Sequence, residues 1–408
     1  MPRAVGVPVT RALDHVGLVL TTDPGDDDMI VDLHAHYPMH LKESSRTSPP
    51  RRRESPGDVI RELVLTLANR VANFPDSKRP AVTIDNLRAG EVMVALSVLY
   101  LPFNEMDFSK PYGAPPASDY FEDLLSLIDA VEKSIQERPQ KDAVTARDLA
   151  ELQAGIEARK VVLIHALEGG FHVGDSKEAI RDNVRELRRR GVGYITLAHL
   201  FFRGIATNAP ALPFMKDELY DTIFPQEEFA DVTDLGEALL EAMVEEHILI
   251  DITHMSDRGI ARTFEVLDRL DPEKKVPVIA SHSACRHGPA DYNISDDQLR
   301  AVAERNGVVG LIACNHWMAD GLNEPRTFAE SLQLFDRHVD RIRQVTRSDD
   351  VAAIGTDIDG FIKPAMPGFE SPANFRDIEK HIRQRYPQVA AKLCSENALR
   401  VLQYWGQR

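Results

Sequence analysis

The chain has 408 residues, of which 43% are hydrophobic and 27% are charged, and its formal net charge is −16. This composition is typical of a globular protein with enough apolar material for a buried core, and it excludes a wholly disordered chain. The acidic balance argues against nucleic acid or an anionic membrane surface as a partner, since both attract basic patches.

The sequence carries no recognisable export or anchoring signal. No segment approaches the roughly eighteen apolar residues that span a bilayer, and neither end reads as a signal peptide or a lipid-anchor tail. Cys285, Cys314 and Cys394 are too few and too scattered for a disulfide framework or a CxxC metal site. We therefore expect a cytoplasmic protein in a reducing compartment.

Beyond a leader at residues 1–28, short apolar segments alternate with longer amphipathic ones, as in repeated βα units around a parallel sheet. Eight buried strands are predicted, at Met29–Leu33, Val92–Leu99, Lys160–His165, Gly193–Ala198, Ile248–Thr253, Val276–Ser281, Gly307–Ala313 and Val351–Gly355. The helices predicted between them are Asp58–Asn73, Asp119–Glu137, Ser176–Arg190, Leu235–Glu246, Gly259–Leu270, Ser295–Arg305 and Thr327–Thr346. The pattern predicts one α/β domain over residues 29–408, a (β/α)8 TIM barrel with enlarged βα loops.

Three segments are too long for compact βα connections: Lys42–Gly57, Tyr100–Ser118 and Ile205–Thr233. Each follows a predicted strand, and the loops after the strands of a barrel build its active site. We interpret these segments as candidate lids or substrate walls, with a flexible insertion as the alternative for the first. The Arg51–Arg53 run within it is interpreted as a solvated surface.

Histidines and a glutamate stand at the ends of several predicted strands. The first strand ends in His34-Ala35-His36, and residues two apart in an extended strand point to the same face. The third strand leads into Glu168, and the fifth and sixth end in His254 and His282. Buried imidazoles and a carboxylate that converge without a cation would leave costly unpaired groups. We therefore predict a metal site formed by His34, His36, Glu168, His254 and His282.

The ligand types favour Zn²⁺, with Glu168 bridging two ions, although manganese, iron and cobalt also accept such ligands. A water held between two cations has a lowered pKa, and the resulting hydroxide can attack a carbonyl carbon. The eighth strand ends in a segment that contains Asp357 and Asp359. We assign to Asp357 the transfer of the water's proton to the leaving nitrogen. Asp359 is the competing choice, and either carboxylate could instead hold a neighbouring loop.

These motifs resemble the membrane dipeptidase (renal dipeptidase) family, peptidase family M19, within the amidohydrolase superfamily. The resemblance runs from about Ile30 to the C-terminus and is carried by Ala166–Gly170, Gly193–His199, Asp251–Asp257, Ile279–Ser283 and Ile354–Gly360. It implies a zinc-dependent barrel that cleaves dipeptides, with two zinc ions per chain bridged by Glu168, and a homodimer. It also implies that His199 binds the substrate or its tetrahedral intermediate.

The sequence departs from the family pattern at the first strand and after the sixth. Well-known members carry HxD where this chain has His34-Ala35-His36, so one negative charge of the metal site is lost. The family also places an arginine before an Asn-x-x-Asp-Asp segment, where it clamps the substrate's carboxylate. Here Tyr292 precedes Asn293, and a tyrosine cannot form a bidentate charged pair with a carboxylate.

Other residues are candidates for the missing substrate contact. Arg286 lies in the same loop as Tyr292 and is predicted either to replace the arginine or to form a surface salt bridge. Arg203 is a weaker candidate. The predicted substrate-binding residues are thus His199, Arg286, Tyr292, Asn208 and Asp359.

The sequence supports three hypotheses about function. The first is a metallo-dipeptidase or related amidohydrolase that acts on dipeptides or small N-acyl amino acids. The second is another reaction of the superfamily, such as lactone hydrolysis or deamination. Because the Leu197–His199 segment offers no lysine to be carbamylated as a bridge, the glutamate-bridged branch is favoured. The third is a catalytically silent, ligand-binding barrel, against which the complete set of metal-binding residues argues.

Overall fold

The computed structural model describes residues 29–41, 80–105, 112–213, 215–360 and 364–407. The predicted leader at residues 1–28, the segment Lys42–Gly57 and the helix at Asp58–Asn73 lie outside these ranges. Within the described residues, no helix is long and apolar enough to cross a membrane.

Eight parallel strands close into a barrel, which confirms the predicted (β/α)8 fold. The strands are β1 (Ile30–Ala35), β2 (Val92–Leu99), β4 (Val161–Glu168), β5 (Val192–Thr196), β6 (Leu249–Asp251), β7 (Val278–Ser283), β8 (Val308–Leu311) and β9 (Ala352–Ile354). Hydrogen bonds join them in the order β2, β1, β9, β8, β7, β6, β5, β4, and β4 pairs back with β2 to close the ring. All eight overlap the predicted strands, because each is a short apolar run buried on both faces.

A ninth strand, β3 (Ala143–Thr145), lies outside the barrel and was not predicted. It pairs in parallel with Val161–Leu163 at the beginning of β4. Farther along, the same edge of β4 pairs with β5, starting from His165. A strand of three residues is too short to show a recognisable sequence period.

Helices pack around the barrel and at its two ends. Those of the described residues are α1 (Ile84–Ala89), α2 (Pro102–Glu105), α3 (Tyr120–Gln136), α4 (Leu149–Glu157), α5 (Lys177–Arg189), α6 (Asp217–Ile223), α7 (Asp234–Glu245), α8 (Asp257–Leu270), α9 (Asp296–Glu304), α10 (Asn315–Met318), α11 (Phe328–Thr346), α12 (Phe375–Arg385) and α13 (Asn397–Trp405). Six of the predicted helices match α3, α5, α7, α8, α9 and α11.

Side-chain caps fix where several of these helices begin. The hydroxyl oxygens of Ser176, Thr233 and Ser256 each accept a hydrogen bond from a backbone N–H in the first turn. Ser295 and Thr327 form complete capping boxes with Gln298 and Glu330. Such caps satisfy N–H groups that a helix cannot pair internally, so the strand-to-helix loops end at defined points.

The two faces of the barrel are closed differently. At the amino-terminal face, α13 packs against β1, β6, β8 and β9, with the Trp405 side chain fully buried. At the carboxyl-terminal face, the enlarged loops after β2 and β5 include α2 and α6. The mouth of the barrel at this second face is therefore walled by the loops in which a site was predicted.

The backbones of β7, β8 and the residue after β9 approach one another closely near the mouth of the barrel. Gly355 follows β9, and a Cβ atom placed on it would overlap the backbone oxygen of Ser281 on β7 and crowd Gly310 on β8. No side chain fits at position 355, so glycine is required there to bring the strand ends together.

Candidate metal centre

The structure brings the five predicted metal-binding residues together at the carboxyl-terminal mouth of the barrel. His34 and Glu168 lie in β1 and β4, His282 lies in β7, and His36 and His254 follow β1 and β6. None is more than 7% exposed. The carboxyl ends of parallel barrel strands meet at one face, so residues far apart in sequence converge here.

Glu168 stands at the centre of the cluster. Its Oε1 atom lies 3.4 Å from His34 Nε2, 3.4 Å from His254 Nε2 and 3.5 Å from His282 Nε2, and its Oε2 atom lies 3.5 Å from His36 Nε2 and 3.4 Å from His199 Nε2. Neither oxygen accepts a hydrogen bond from the described residues. A buried carboxylate without donors is costly, and a cation between it and the surrounding nitrogens would satisfy it.

The hydrogen bonds behind His34 determine which of its nitrogens carries the hydrogen. The Tyr194 hydroxyl donates to the backbone oxygen of Leu33 at 3.1 Å, so towards His34 Nδ1, 2.7 Å away, it acts as an acceptor. His34 Nδ1 therefore carries the hydrogen. Its Nε2 atom presents a lone pair to the cluster, as a metal-binding imidazole requires.

A similar chain supports His282. The Ser281 hydroxyl donates to Asp251 Oδ2 at 2.6 Å and lies 2.9 Å from His282 Nδ1, from which it accepts. Asp251 is fully buried and also receives hydrogen bonds from Thr196 and Thr253. Because the Asp251 carboxylate only accepts, the hydrogen bonds run from His282 Nδ1 to Ser281 and from Ser281 to Asp251. The Nε2 atom of His282 is thereby left to bind a cation.

The remaining contacts show that the nitrogens are crowded. His34 Nε2 lies 3.2 Å from His36 Nε2, and His254 Nε2 lies 3.0 Å from His282 Nε2. His254 adopts the left-handed backbone conformation, with φ of 67°, which is uncommon for a non-glycine residue. Ring nitrogens that face one another so closely fit neutral imidazoles arranged around a cation.

The pKa shifts in the cluster follow from its burial. Burial holds the pKa of His34 and His282 well below 6.5 and lowers that of His254 to about 4. It also raises the pKa of Glu168 well above 4.5. Burial opposes the charged form of His36 as well, but the hydrogen bond to Asp357 and the negative charge of that carboxylate raise the pKa of His36 above 6.5. The cluster therefore disfavours net charge until a cation is bound.

The two aspartates after β9 have different surroundings. Asp357 Oδ1 lies 2.8 Å from His36 Nε2 and 3.6 Å from His34 Nε2, which places this carboxylate within the cluster. Asp359 Oδ2 instead accepts a hydrogen bond from the backbone N–H of Val82 at 2.7 Å. Asp359 thus holds a neighbouring segment, the alternative role considered for these carboxylates, while Asp357 lies among the histidines of the cluster.

His199 faces Glu168 from the loop after β5 and is itself held by a residue that the sequence did not single out. Its Nδ1 atom lies 2.8 Å from Glu105 Oε2 at the end of α2. Glu105 Oε2 also accepts from the Tyr100 hydroxyl at 2.6 Å, and Oε1 accepts from the backbone N–H of Phe201 at 2.8 Å. Burial raises the pKa of Glu105 to about 7. No motif marks Glu105, since its role depends on the course of the loop.

The residues considered for the substrate's carboxylate lie at different distances from this centre. Tyr292 is buried beside it, with its ring 5.1 Å from that of His254 and 4.4 Å from that of Trp317, and its hydroxyl donates to the His282 backbone oxygen. Arg286 forms a two-pronged ion pair with Asp257, at 2.7 and 2.8 Å. The structure does not bring Arg286 to the cluster.

Asn208 and Arg203 are buried within the loop after β5. The Asn208 amide donates to the Leu200 backbone oxygen and to the Tyr220 hydroxyl, and its Oδ1 atom has no hydrogen-bond partner among the described residues. Arg203 donates to the Tyr120 hydroxyl at 2.9 Å. The Asn208 amide therefore braces the loop, and the described contacts link neither residue directly to the metal cluster.

Comparison with known proteins supports the same assignment. The model of the membrane dipeptidase family, peptidase family M19, matches residues 26–407. Dipeptidase 3 of Mus musculus is 27% identical over 304 residues, which cover 74% of this chain and 53% of that protein. Dipeptidase 3 of Homo sapiens is 26% identical over 244 residues, or 58% of this chain and 42% of that protein. The chain thus spans about half the length of the curated relatives it matches.

Two solved structures share the fold. A dipeptidase described as a metallopeptidase of family M19 has a TM-score of 0.68 and 17% identity, covering 93% of this chain and 99% of its own. A metallopeptidase from Rhodobacter sphaeroides, bound to a phosphinate mimic of the dipeptide L-Ala-D-Ala, has a TM-score of 0.65 and 18% identity, covering 92% and 98%. With the family model matching nearly the whole sequence around this buried centre, the chain belongs to the membrane dipeptidase family, peptidase family M19.

Proposed function

We propose that this protein is a zinc-dependent hydrolase that cleaves the amide bond of dipeptides or of related small N-acyl amino acids. The main observation behind the proposal is the environment of Glu168. Its two buried oxygens accept no hydrogen bond from the described residues and face five histidine Nε2 atoms at 3.4–3.5 Å. The dipeptide mimic bound to the structural relative from Rhodobacter sphaeroides supports the choice of substrate.

We propose two zinc ions per chain. His34 and His36 would hold one ion and His254 and His282 the other, with Glu168 contributing one oxygen towards each. Zinc, when bound, would lower the pKa of a water molecule and polarise a substrate carbonyl. The choice of zinc follows from imidazole and carboxylate ligands and from the outward hydrogen bonds that leave the Nε2 atoms of His34 and His282 unprotonated.

Two side chains would act on protons and on the substrate. Asp357 would accept the proton of the attacking water and pass it to the leaving nitrogen, a role supported by its distance of 2.8 Å from His36 Nε2. His199 would contact the substrate next to Glu168, whose Oε2 atom lies 3.4 Å from His199 Nε2. Tyr292 and Trp317 offer ring surfaces beside His254, which would face an apolar part of the substrate.

The test is hydrolysis of a panel of dipeptides and N-acyl amino acids by zinc-replete protein, with Glu168→Gln as the matched variant. We expect amino acid release that Glu168→Gln abolishes while the variant stays folded. Release of ammonia or opening of lactones in place of amide cleavage would instead support another reaction of the superfamily. Fewer than one metal per chain after zinc-sufficient purification, together with no hydrolysis, would support a silent barrel.

A further inference from the structure

We propose that Tyr292 is a positioning residue that holds His254 and His282 in place to bind one of the two ions. The Tyr292 ring packs against the His254 ring, and the Tyr292 hydroxyl donates to the backbone oxygen of His282. One side chain thus joins the two histidines proposed for the same ion. The inference rests on the proposed function for its two zinc ions, but it requires no particular substrate.

His254 lies between β6 and α8, outside the regular pairing of the barrel. β6 ends at Asp251, three residues before it, and His254 has the uncommon φ of 67°. Its Nδ1 atom is buried and has no hydrogen-bond partner among the described residues, whereas metal-binding histidines usually donate a hydrogen bond from their second nitrogen. Contacts with neighbouring rings are therefore left to set the orientation of the His254 side chain.

The Tyr292 ring supplies such a contact from outside the cluster. Its centroid lies 5.1 Å from that of His254 with the planes 67° apart, an edge-to-face arrangement that aromatic rings favour. Tyr292 also packs on Trp317, 4.4 Å away, and the two residues are 6% and 4% exposed. The rings of His199 and His282 contact His254 as well, but both belong to the centre itself. Tyr292 is thus the wall against which the His254 ring rests.

The Tyr292 hydroxyl acts on His282 at an irregular point of the barrel. The pairing of β7 with β8 shifts register between Ala280 and Ser283, and the pairing of β7 with β6 extends only to Ile279. Irregularities of this kind re-aim side chains next to active sites. Here the Tyr292 hydroxyl donates to the His282 backbone oxygen at 2.9 Å, so the position of His282 depends on the loop after β7 as well as on the strand.

The two histidine nitrogens that Tyr292 would align lie 3.0 Å apart, from His254 Nε2 to His282 Nε2. Among the described residues, no hydrogen bond or ring contact joins Tyr292 to His34 or His36. Tyr292→Leu should therefore lower the affinity of the ion at His254 and His282 about 10–100-fold, while the other ion keeps its affinity. Tyr292→Phe loses only the hydroxyl and should weaken the same ion by less.

Stepwise zinc binding is measured by competition with chromophoric chelators. The two steps are assigned with His254→Ala and His36→Ala, each of which removes a ligand of one ion, and the absorption spectrum of Co²⁺-loaded protein reports any change in ligand geometry. Tyr404→Phe is the matched control. Tyr404 is a 7% exposed tyrosine in α13, at the other end of the barrel, and its hydroxyl donates to the Val244 backbone oxygen at 3.3 Å. It should bind both ions as the wild type does.

Activity alone does not decide the matter, because the Tyr292 ring would also face the substrate. Equal weakening of both ions, unchanged affinities in every folded Tyr292 variant, or a wild type that binds a single zinc ion would overturn the proposal. Tyr292→Phe keeps the ring and decides the role of the hydroxyl if Tyr292→Leu does not fold. If both ions bind as expected but the wild type hydrolyses no dipeptide, the proposed reaction fails and the positioning role of Tyr292 stands.

Discussion

Replacing Asp251 by asparagine is expected to weaken zinc binding although no proposed metal ligand is removed. Asp251 Oδ1 accepts hydrogen bonds from the backbone N–H groups of Thr253 and Ser281 and from the Thr253 hydroxyl. Oδ2 accepts from the hydroxyls of Thr196 and Ser281. Because the backbone donors cannot reverse, the asparagine oxygen should take the Oδ1 position and its NH₂ group the Oδ2 position.

That placement reverses the hydrogen bonds that join position 251, Ser281 and His282. The Ser281 hydroxyl would accept from the new NH₂ group and would donate its own hydrogen to His282 Nδ1, 2.9 Å away. His282 would then carry its hydrogen on Nε2, the atom that faces Glu168. Since zinc binds the unprotonated nitrogen, the ion could bind only after the tautomer had been restored.

Mutation of a hydrogen-bond partner of a metal-binding histidine typically lowers metal affinity by about 10–100-fold. We expect an effect of this size for Asp251→Asn. This corresponds to about 1.4–2.8 kcal/mol. The loss of stability should be modest, about 1–3 kcal/mol, because the donors at the Oδ1 position keep an acceptor and the hydroxyls of Thr196 and Ser281 can accept from the new NH₂ group. Zinc affinity is measured by competition with a chromophoric chelator, and the free energy of unfolding by urea denaturation of the metal-free protein.

Asp32→Asn provides a control of the same chemistry and burial. Asp32 Oδ1 accepts from the backbone N–H groups of His34 and Thr356, and Oδ2 accepts from the Thr356 hydroxyl. That hydroxyl can turn to donate to the His34 backbone oxygen, so no ring nitrogen is affected. Equal zinc affinities for Asp251→Asn, Asp32→Asn and the wild type would refute the reasoning from tautomers.

Three further predictions concern the same centre. Because burial raises the pKa of Glu168 well above 4.5 in the metal-free protein, zinc binding should release its proton and tighten as pH rises through that pKa. Calorimetry in buffers of different ionisation enthalpy measures this release, which Glu168→Gln should reduce. Arg286→Met should leave KM for dipeptides unchanged in steady-state assays, since its guanidinium pairs with Asp257. Gly355→Ala should lower the free energy of unfolding by about 1–3 kcal/mol and reduce zinc content, since its methyl group would overlap the Ser281 backbone oxygen.

The parts of the structure that were predictable from sequence are those that follow from periodicity and strand direction. The barrel strands were recognisable because buried parallel strands are continuous apolar runs, as in β4. The convergence of His34, His36, Glu168, His254 and His282 then followed, because all of them stand at the carboxyl ends of strands of one barrel. Neither inference needed the conformation of any loop.

The residues that support the histidines were not predictable, because their roles depend on contacts between different segments of the folded chain. Tyr194, Ser281 and Glu105 are ordinary residue types, and each supports the centre through hydrogen-bond contacts to histidines. Except for the contact between Ser281 and His282, these contacts join residues far apart in sequence. The role of Arg286 likewise depended on a contact between its loop and the beginning of α8. Its pairing with Asp257 there is a property of two loops packed together, to which no local pattern corresponds.

The histidine at position 36 changes the charge next to Asp357 in the cluster. An aspartate at position 36, as in the family pattern, would bring a second carboxylate towards Asp357 Oδ1, which lies 2.8 Å from His36 Nε2. Like charges at such a distance repel, whereas a neutral imidazole adds no such repulsion. Asp357 therefore supplies negative charge next to the position from which the family pattern provides it. With His36 in place of that aspartate, the carboxylates near His36 Nε2 among the described residues are those of Glu168 and Asp357, so this side of the cluster carries one negative charge less than in the family pattern.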